Sequence, residues 1–319
     1  MEKVPQAGYA IEGLDITGFN RSNMAKNISL PLQLIKSFWK VRKLMRSFKP
    51  DAVIGVGGYS TFPVLRYAQK NNIPTFIHEA NSFAGKSNIL LGSGAVKIFV
   101  ATSGMEKFFP AGKIMITGNP VRSAITSISD SREEALKFFG LQANKTTLLV
   151  VGGSLGAASI NKVIAAHVHE LASLDLQLIW QTGKNNAEGY KQSANAFPNI
   201  WVDGFITEMH KAYAAADIVI ARAGAMTVAE LCVVKKPVIF VPYPFAAEDH
   251  QTVNAMHLVK HNAALMVNDR EAPVKLFPVM VALAKDKEQQ QALSKNMAAL
   301  AITNADTVIA HEVLSYIRA

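Results

Sequence analysis

Two doubly wound α/β domains in tandem are the fold class this sequence predicts, and three observations carry it. The chain has 319 residues, too many for one ordinary core and suited to two domains of roughly 150 residues each. Short, continuously apolar runs alternate with segments of helical periodicity, as in parallel sheets covered on both faces. The runs fall into two series, separated by TGNPVRSAITSISDSREEALKFFGLQANK (residues 117–145), whose Gly-Asn-Pro turn and polar loop mark a boundary.

The first series of expected strands is DAVIGVG (51–57), TFIHE (75–79), KIFVA (97–101) and KIMIT (113–117). The second is TLLVVGG (147–153), LQLIWQT (176–182), NIWVDG (199–204), DIVIA (217–221), PVIFVP (237–242) and ALMV (264–267). Helical patterns lie between them, including 157–173 and 226–234. The domain limits expected are residues 1–122 and 123–304.

Composition narrows the class. Half of the residues are hydrophobic and 18% are charged, which excludes a disordered chain. One cysteine, Cys232, excludes an intrachain disulfide framework and fits a reducing compartment. It sits in an apolar helical stretch, where a buried structural thiol is the expected reading. No apolar run reaches the ~20 residues of a membrane span, and the start, MEKVPQAGYAIEG, lacks a signal-peptide pattern. The expected setting is cytoplasmic.

The net charge of +9 is uneven, because residues 1–49 carry nine Lys/Arg against three Asp/Glu. The excess concentrates in LPLQLIKSFWKVRKLMRSFK (30–49). There Leu34, Phe38, Val41, Met45 and Phe48 recur at the spacing of a helix packed on a core. Ile28, Leu32, Ile35 and Trp39 make a second apolar line about 100° round the helix, and Lys36, Lys40, Lys43 and Arg46 fill the rest. Two readings stand: a wide core stripe with a solvated basic face, or a helix resting on anionic lipid. No RNA- or DNA-binding motif supports nucleic acid as a partner.

Ligands of such sheets bind at the carboxyl ends of strands, where glycines let the backbone come close. Three places qualify. VGGYSTFP (56–63) places Gly57-Gly58 after a strand, and VVGGSLGAASIN (150–161) opens a helix with Gly152, Gly153 and Gly156. Free N–H groups at a helix start favour a phosphate, although ordinary tight turns need glycine too. The third is ARAGAMTVAE (221–230), where Gly224 turns the chain and Thr227 caps the helix or bonds a phosphate. Glu230 near that helix start admits a plain explanation as a dipole partner or a capping box with Thr227. Arg222 does not, because a guanidinium just beyond a buried strand requires an anionic or carbonyl partner.

FAAEDHQTVNA (245–255) clusters Glu248, Asp249, Gln251 and Asn254, the amides and acids a sugar ring requires, or simply a polar surface loop. There is no His-Glu-x-x-His, cysteine cluster or Asp-x-Asp, so no metal and no cofactor are expected. A leaving diphosphate is then neutralised by helix N-termini and arginines, with Arg122 the first candidate. His78, at a strand end, is either an acid–base group or a satisfied structural histidine.

With these motifs placed, the sequence resembles the MurG family of bacterial N-acetylglucosaminyltransferases, in glycosyltransferase family 28. The likeness runs along the whole chain in order: GVGGYSTFP, HEANSFAGKSN, TGNPVR, VVGGSLGA, DGFITEMHKAYAAADIVIARAGAMTVAEL and VPYPFAAEDHQTVNA. The resemblance implies the GT-B fold, two Rossmann-like domains facing a cleft, with the C-terminal helix, 305–319, packed back on the first domain. It implies inverting transfer of GlcNAc from UDP-GlcNAc to the 4-hydroxyl of lipid I, giving lipid II for peptidoglycan, without a required metal. Carried over by position, the backbone around Ile206 reads uracil and Glu230 bonds the ribose hydroxyls. Ser154 and the Gly153 loop contact the diphosphate, with charge from Arg122. Ala225, Met226 and Thr227, with Val228 and Ala229 beside them, line the phosphate–sugar junction. Gln251 holds GlcNAc hydroxyls, and Asn81 reaches the sugar from the opposite domain. The resemblance also assigns the 30–49 helix a membrane role through Ile28, Leu32, Ile35, Phe38, Trp39, Lys36, Lys40 and Lys43, at the cytoplasmic face of the inner membrane.

The family pattern begins with a strand and a Gly-Gly-Thr-Gly-Gly-His loop that this chain does not show, so the N-terminal domain is expected to be incomplete and to expose a strand edge. The family's proposed base lies in that loop. His78 and Glu79 are the fallback candidates here, and the chain reads as an incomplete version of a longer gene. The alternatives are a non-catalytic UDP-sugar or lipid-surface binding module and an NAD-dependent oxidoreductase. GGSLGA is not Gly-x-Gly-x-x-Gly, and WQTGK lacks the acid a dinucleotide ribose needs.

Overall fold

The computed structural model describes residues 3–6, 8–18, 27–153, 155–185 and 187–318. In chain order the elements are α1 (Lys3–Gln6), α2 (Leu30–Phe48), β1 (Val53–Gly55), α3 (Thr61–Lys70), β2 (Thr75–Glu79), α4 (Lys86–Gly92), β3 (Lys97–Val100) and β4 (Ile114–Ile116). Next come α5 (Ser123–Thr126), α6 (Arg132–Phe138), β5 (Thr146–Val151), α7 (Ala158–Ala166), α8 (Val168–Ser173), β6 (Leu176–Gln181), α9 (Ala187–Ala194) and β7 (Ile200–Asp203). The chain continues with α10 (Met209–Ala215), β8 (Ile218–Ala221), α11 (Ala225–Val234), β9 (Val238–Phe240), α12 (His250–Lys260) and β10 (Leu265–Met266). It ends with α13 (Ala272–Lys285), α14 (Lys287–Ala299) and α15 (Ala305–Arg318). The chain divides into two compact units, Met1–Thr117 with Thr307–Ala319, and Gly118–Asp306.

The first unit holds a four-stranded parallel sheet in the order β1-β2-β3-β4. Alternate residues of its strands point to opposite faces, as the two-residue period requires. Ile77, Ile98 and Val100 pack with Leu65, Leu91 and Phe109 on one face. Phe76 and Phe99 meet Ile309 and Val313 of α15 on the other. At its edge, β1 leaves Ile54 exposed, and a cavity of about 600 Å³ opens between it, residues 12–16 and α2.

The second unit is a six-stranded parallel sheet in the order β10-β9-β8-β5-β6-β7. Leu149, Val151, Val219 and Phe240 face one core with Leu136, Tyr213, Leu231 and Leu258. Leu148, Val150, Trp180 and Ile220 face the other with Ile160, Ile164, Leu276 and Met280. The strand order reverses direction at the β5–β8 pair, so this sheet has a topological switch point between those strands.

All ten expected strands form, each within a few residues of its expected limits. Three local expectations change. The 157–173 helix divides at His167, whose φ of −115° leaves the helical region. The His167 imidazole contacts the Val163 carbonyl at 2.8 Å while its N–H shifts to Ile164, competing with the regular i−4 bond. The 117–145 segment, read as a polar loop, folds into α5 and α6. A capping box nucleates α6, with Ser131 accepting from the Glu134 N–H and Glu134 accepting from the Ser131 N–H. Third, Phe48 leaves the inward stripe of α2 and is 81% exposed. It is the last helical residue, ahead of Lys49 at φ 50°, and lies past the core that Val41 contacts.

Candidate functional site

The switch point of the second sheet places two of the glycine-bearing segments side by side. Val151 at the end of β5 pairs with Ala221 at the end of β8. Gly152-Gly153 and Arg222-Ala223-Gly224 therefore leave the sheet together at its carboxyl end, where open α/β sheets bind ligands. Gly156 in the first of these loops has a φ of +81°, and a Cβ there would lie 2.1 Å from the Thr182 carbonyl oxygen. Only glycine fits. The loop thus sits directly on the turn after β6, and α7 starts from Ala157 without a side-chain cap. Uncapped N–H groups of a first turn are donors for an anion. Ser154, expected at the diphosphate, lies outside the described residues.

The 221–230 stretch forms the end of β8 and the start of α11, with Gly224 as N-cap. Glu230 falls in the second turn of α11, and the N-cap residue, Gly224, makes no side-chain cap. The dipole and capping-box explanations for the acid are therefore corrected: Glu230 is too far along, and its partners lie elsewhere. It is 9% exposed. Arg122 Nη2 donates to Oε1 at 2.9 Å, and the Tyr213 hydroxyl donates to Oε2 at 3.0 Å. Arg122, the residue ahead of α5, has a side chain 64% exposed, whereas Tyr213 on α10 is buried in the core. Burial first, and then the Glu230 charge, push the Tyr213 hydroxyl well above its usual pKa, so it remains a donor. The sequence assigned Arg122 and Glu230 to separate parts of a nucleotide. The fold places them in one ion pair.

Around this pair, Ala225, Thr227, Val228 and Ala229 are half-buried and Met226 is exposed. Asn119 Nδ2 reaches the Ala225 carbonyl at 3.3 Å, tethering the start of α11. Ile206 lies between β7 and α10 with its side chain buried in the core. Gln251 lies in the first turn of α12, where its Oε1 accepts from the Tyr243 N–H at 2.9 Å. Asn254, grouped with it in the sequence, is buried and donates to the Ala223 carbonyl at 3.1 Å. It holds α12 against the 221–224 turn.

Arg222 finds the partners its position demands. Its Nη1 donates to the carbonyls of Val241 (2.9 Å) and Pro242 (3.0 Å) and pairs with Asp269. Its Nη2 reaches Ser159 Oγ at 3.0 Å. Sequence reasoning missed Ser159, Tyr213 and Asp269. Ser159 and Asp269 are distant in the chain from Arg222 and carry no local signal. Tyr213 had one, a single hydroxyl among the alanines of KAYAAAD.

In the first unit, Glu79 is buried at the end of β2 and accepts four hydrogen bonds: from the N–H of Asn81 (3.1 Å) and of Gly85 (2.9 Å), and from Nδ2 of Asn81 (3.4 Å) and of Asn88 (2.8 Å). Its carboxylate is the organiser of the 79–88 loop. His78, beside it on β2, is also buried. On α2 the two apolar lines separate. Val41 is buried with Leu34, Phe38 and Met45 half-buried, while Ile28, Leu32, Ile35 and Trp39 are exposed, Trp39 by 68%. Phe38 thus belongs to the inward stripe. Lys36 and Lys43 are exposed, and Lys40 is half-buried, 3.9 Å from Glu12.

Burial pushes the Cys232 thiol up to about 12, an inert group at neutral pH. Among the described residues, no three His, Cys, Asp or Glu side chains are grouped to hold a metal, and no helix is long and apolar enough to cross a membrane.

Known family models match both halves of the chain. Residues 1–100 match the glycosyltransferase family 28 N-terminal domain, and residues 147–312 match its C-terminal domain. The UDP-N-acetylglucosamine--N-acetylmuramyl-(pentapeptide) pyrophosphoryl-undecaprenol N-acetylglucosamine transferase of Bacteroides fragilis is 46% identical over 98% of this chain and 84% of its own length. The enzyme of the same name from Parabacteroides distasonis is 46% identical over 99% of this chain and 87% of its own. The crystal structure of Acinetobacter baumannii MurG superposes with a TM-score of 0.76 at 28% identity, covering 98% of this chain and 87% of that one. The architecture is GT-B-like, and the chain belongs to glycosyltransferase family 28.

Proposed function

We propose that this chain transfers N-acetylglucosamine from UDP-N-acetylglucosamine to the 4-hydroxyl of undecaprenyl-diphosphate-linked N-acetylmuramyl-pentapeptide, with inversion at the anomeric carbon. The observation that carries the reading is 46% identity over 98% of the chain to an enzyme of that name. The paired loops at the switch point support it.

In the reaction, the acceptor hydroxyl gives its proton to a general base, for which His78 and Glu79 are the candidates in this reading, as its oxygen bonds to the anomeric carbon from the face opposite the diphosphate. The bond from that carbon to UDP breaks, and its electron pair leaves on the terminal phosphate. The departing charge needs fixed donors. In this reading they are the uncapped first turn of α7, the Gly153 loop and Arg122. Glu230, held by Tyr213 and Arg122, accepts from the ribose hydroxyls. The backbone at Ile206 reads the uracil edge, Ala225–Ala229 line the phosphate–sugar junction, and Gln251 holds a sugar hydroxyl. The second unit, which holds Arg122, is the donor-binding part in this reading. The first unit, with the C-terminal helix, is the acceptor part, resting on anionic lipid at the cytoplasmic face through the exposed line of α2 and its lysines.

Thermal denaturation with added nucleotide tests the donor, and radiolabelled GlcNAc transfer to a lipid I analogue tests the reaction. UDP is expected to raise the Tm and NAD to leave it unchanged. The reverse pattern refutes the transferase reading in favour of a dinucleotide enzyme. UDP binding without transfer supports a sugar-nucleotide binding module instead.

A further inference from the structure

We propose that Arg222 is a positioning residue for the sugar-recognising side of the donor site, holding the 241–251 segment so that the Gln251 amide meets the hexose. The proposal rests on the transferase reading above and adds a role that this reading does not use.

The Arg222 side chain is 14% exposed, and the carboxylate it pairs with, Asp269, is 17% exposed. Its fork joins segments that are far apart in sequence at the carboxyl end of one sheet. It holds the two carbonyls just past β9, Ser159 in the first turn of α7, and Asp269 in the turn after β10. Ser159 Oγ in turn donates to Asp269 Oδ1 at 2.5 Å, closing a triangle in which each member fixes the other two. A planar guanidinium meets this geometry, and an ammonium does not.

The consequence falls unequally on the joined segments. Helix α7 has independent anchors: Ile160 and Ile164 are wholly buried, and Asn161 Nδ2 donates to the Thr182 carbonyl at 2.7 Å. In the segment after β9, Phe245 is 80% exposed, and Tyr243 lies under the guanidinium with its ring centroid 5.6 Å away. The Tyr243 N–H is the donor that orients Gln251 Oε1. Between them, Glu248 and Asp249 both adopt φ of 52°, a left-handed conformation that non-glycine residues hold only where neighbours enforce it. Arg222 therefore acts on Gln251 through two carbonyls, one ring and one N–H. The diphosphate donors on α7 have other support.

Calorimetric titration of the 319-residue chain with UDP and with UDP-GlcNAc tests this, because the two ligands differ only in the sugar. Arg222→Lys keeps the charge and loses the fork. Tyr243→Ala removes the ring and leaves the buried network intact, so it reads the same path where folding is not at risk. Both variants are expected to weaken UDP-GlcNAc about tenfold while UDP stays within about twofold of the parent, and to narrow the preference for UDP-GlcNAc over UDP-glucose. Equal losses for UDP and UDP-GlcNAc, or a fall in Tm with neither affinity changed, overturn the positioning role and leave Arg222 as a stabilising residue. A parent chain that binds neither ligand overturns the transferase reading and this proposal together.

Discussion

Replacing Glu230 by alanine separates the carboxylate's two duties. For the fold, the change leaves the buried Tyr213 hydroxyl without its acceptor, a loss of about 1–3 kcal/mol. The Arg122 arm adds little, because its side chain is 64% exposed and water screens the pair. The expected fall in unfolding free energy is therefore about 2 kcal/mol. For the ligand, two ribose hydroxyls lose a charged acceptor, and the expected cost is roughly 1–3 kcal/mol, or about 5- to 150-fold in Kd. Urea denaturation reads the first quantity and titration calorimetry with UDP the second. Tyr213→Phe is the companion: it removes the same buried bond, so stability falls, while the Glu230 carboxylate still faces the nucleotide and UDP affinity holds. If Glu230→Ala loses stability but binds UDP within about twofold of the parent, the acid serves the fold alone and the donor-site assignment is refuted.

Three further outcomes follow from particular residues. The Cys232 thiol has its pKa raised from 9.0 to about 12 by burial. Its neutral form is favoured in the folded state, so this contribution to stability is complete below pH 9 and is lost as pH rises toward 12; Cys232→Ala, followed by denaturation across that range, removes this component, and an unchanged alkaline slope counts against it. Lys235 ends α11 at φ 56°, a left-handed cap where glycine is less strained, so Lys235→Gly is expected to stabilise the protein by about 0.5–1 kcal/mol in urea titration; a destabilised variant argues that the side chain makes a favourable contact. Trp39→Glu, on the exposed line of α2, is expected to cut binding to phosphatidylglycerol vesicles about tenfold without lowering the Tm; equal vesicle binding by variant and parent refutes the membrane-facing role.

The strands were legible because each is a short run of β-branched and other apolar residues flanked by glycine or polar turns, and parallel sheets bury both faces of such runs. TLLVV and DIVIA declare themselves at this level. The break at His167 was not legible. It has no Gly or Pro and depends on one imidazole meeting a carbonyl a turn earlier. The capping box at Ser131–Glu134 was present in the sequence as Ser-x-x-Glu, and the surrounding polar residues obscured it. On α2, spacing separated two apolar lines and picked the core-facing one, but it could not say that Phe48 passes beyond the core.

The candidate site divides in the same way. Local pattern names glycines after strands, an acid on α11 and a cluster of acids and amides at the start of α12, since each signal lies within about ten residues of chain. Which of these groups meet is a matter of distant contacts. Arg122 and Glu230 are 108 residues apart and share one bond, Arg222 and Asp269 are 47 apart, and Ser159 and Asp269 are 110 apart. No local period encodes those separations. Residue type and spacing were enough for the sheets and their helices to be expected from the chain, and the sugar-nucleotide chemistry was expected from the resemblance its ordered motifs bear to glycosyltransferase family 28. The tertiary fold assigned the partners: Glu230 is a buried carboxylate accepting two hydrogen bonds, and Arg222, leaving β8 beside β5 at the switch point, is a tie between loops, because a parallel sheet brings the ends of remote strands within hydrogen-bond reach.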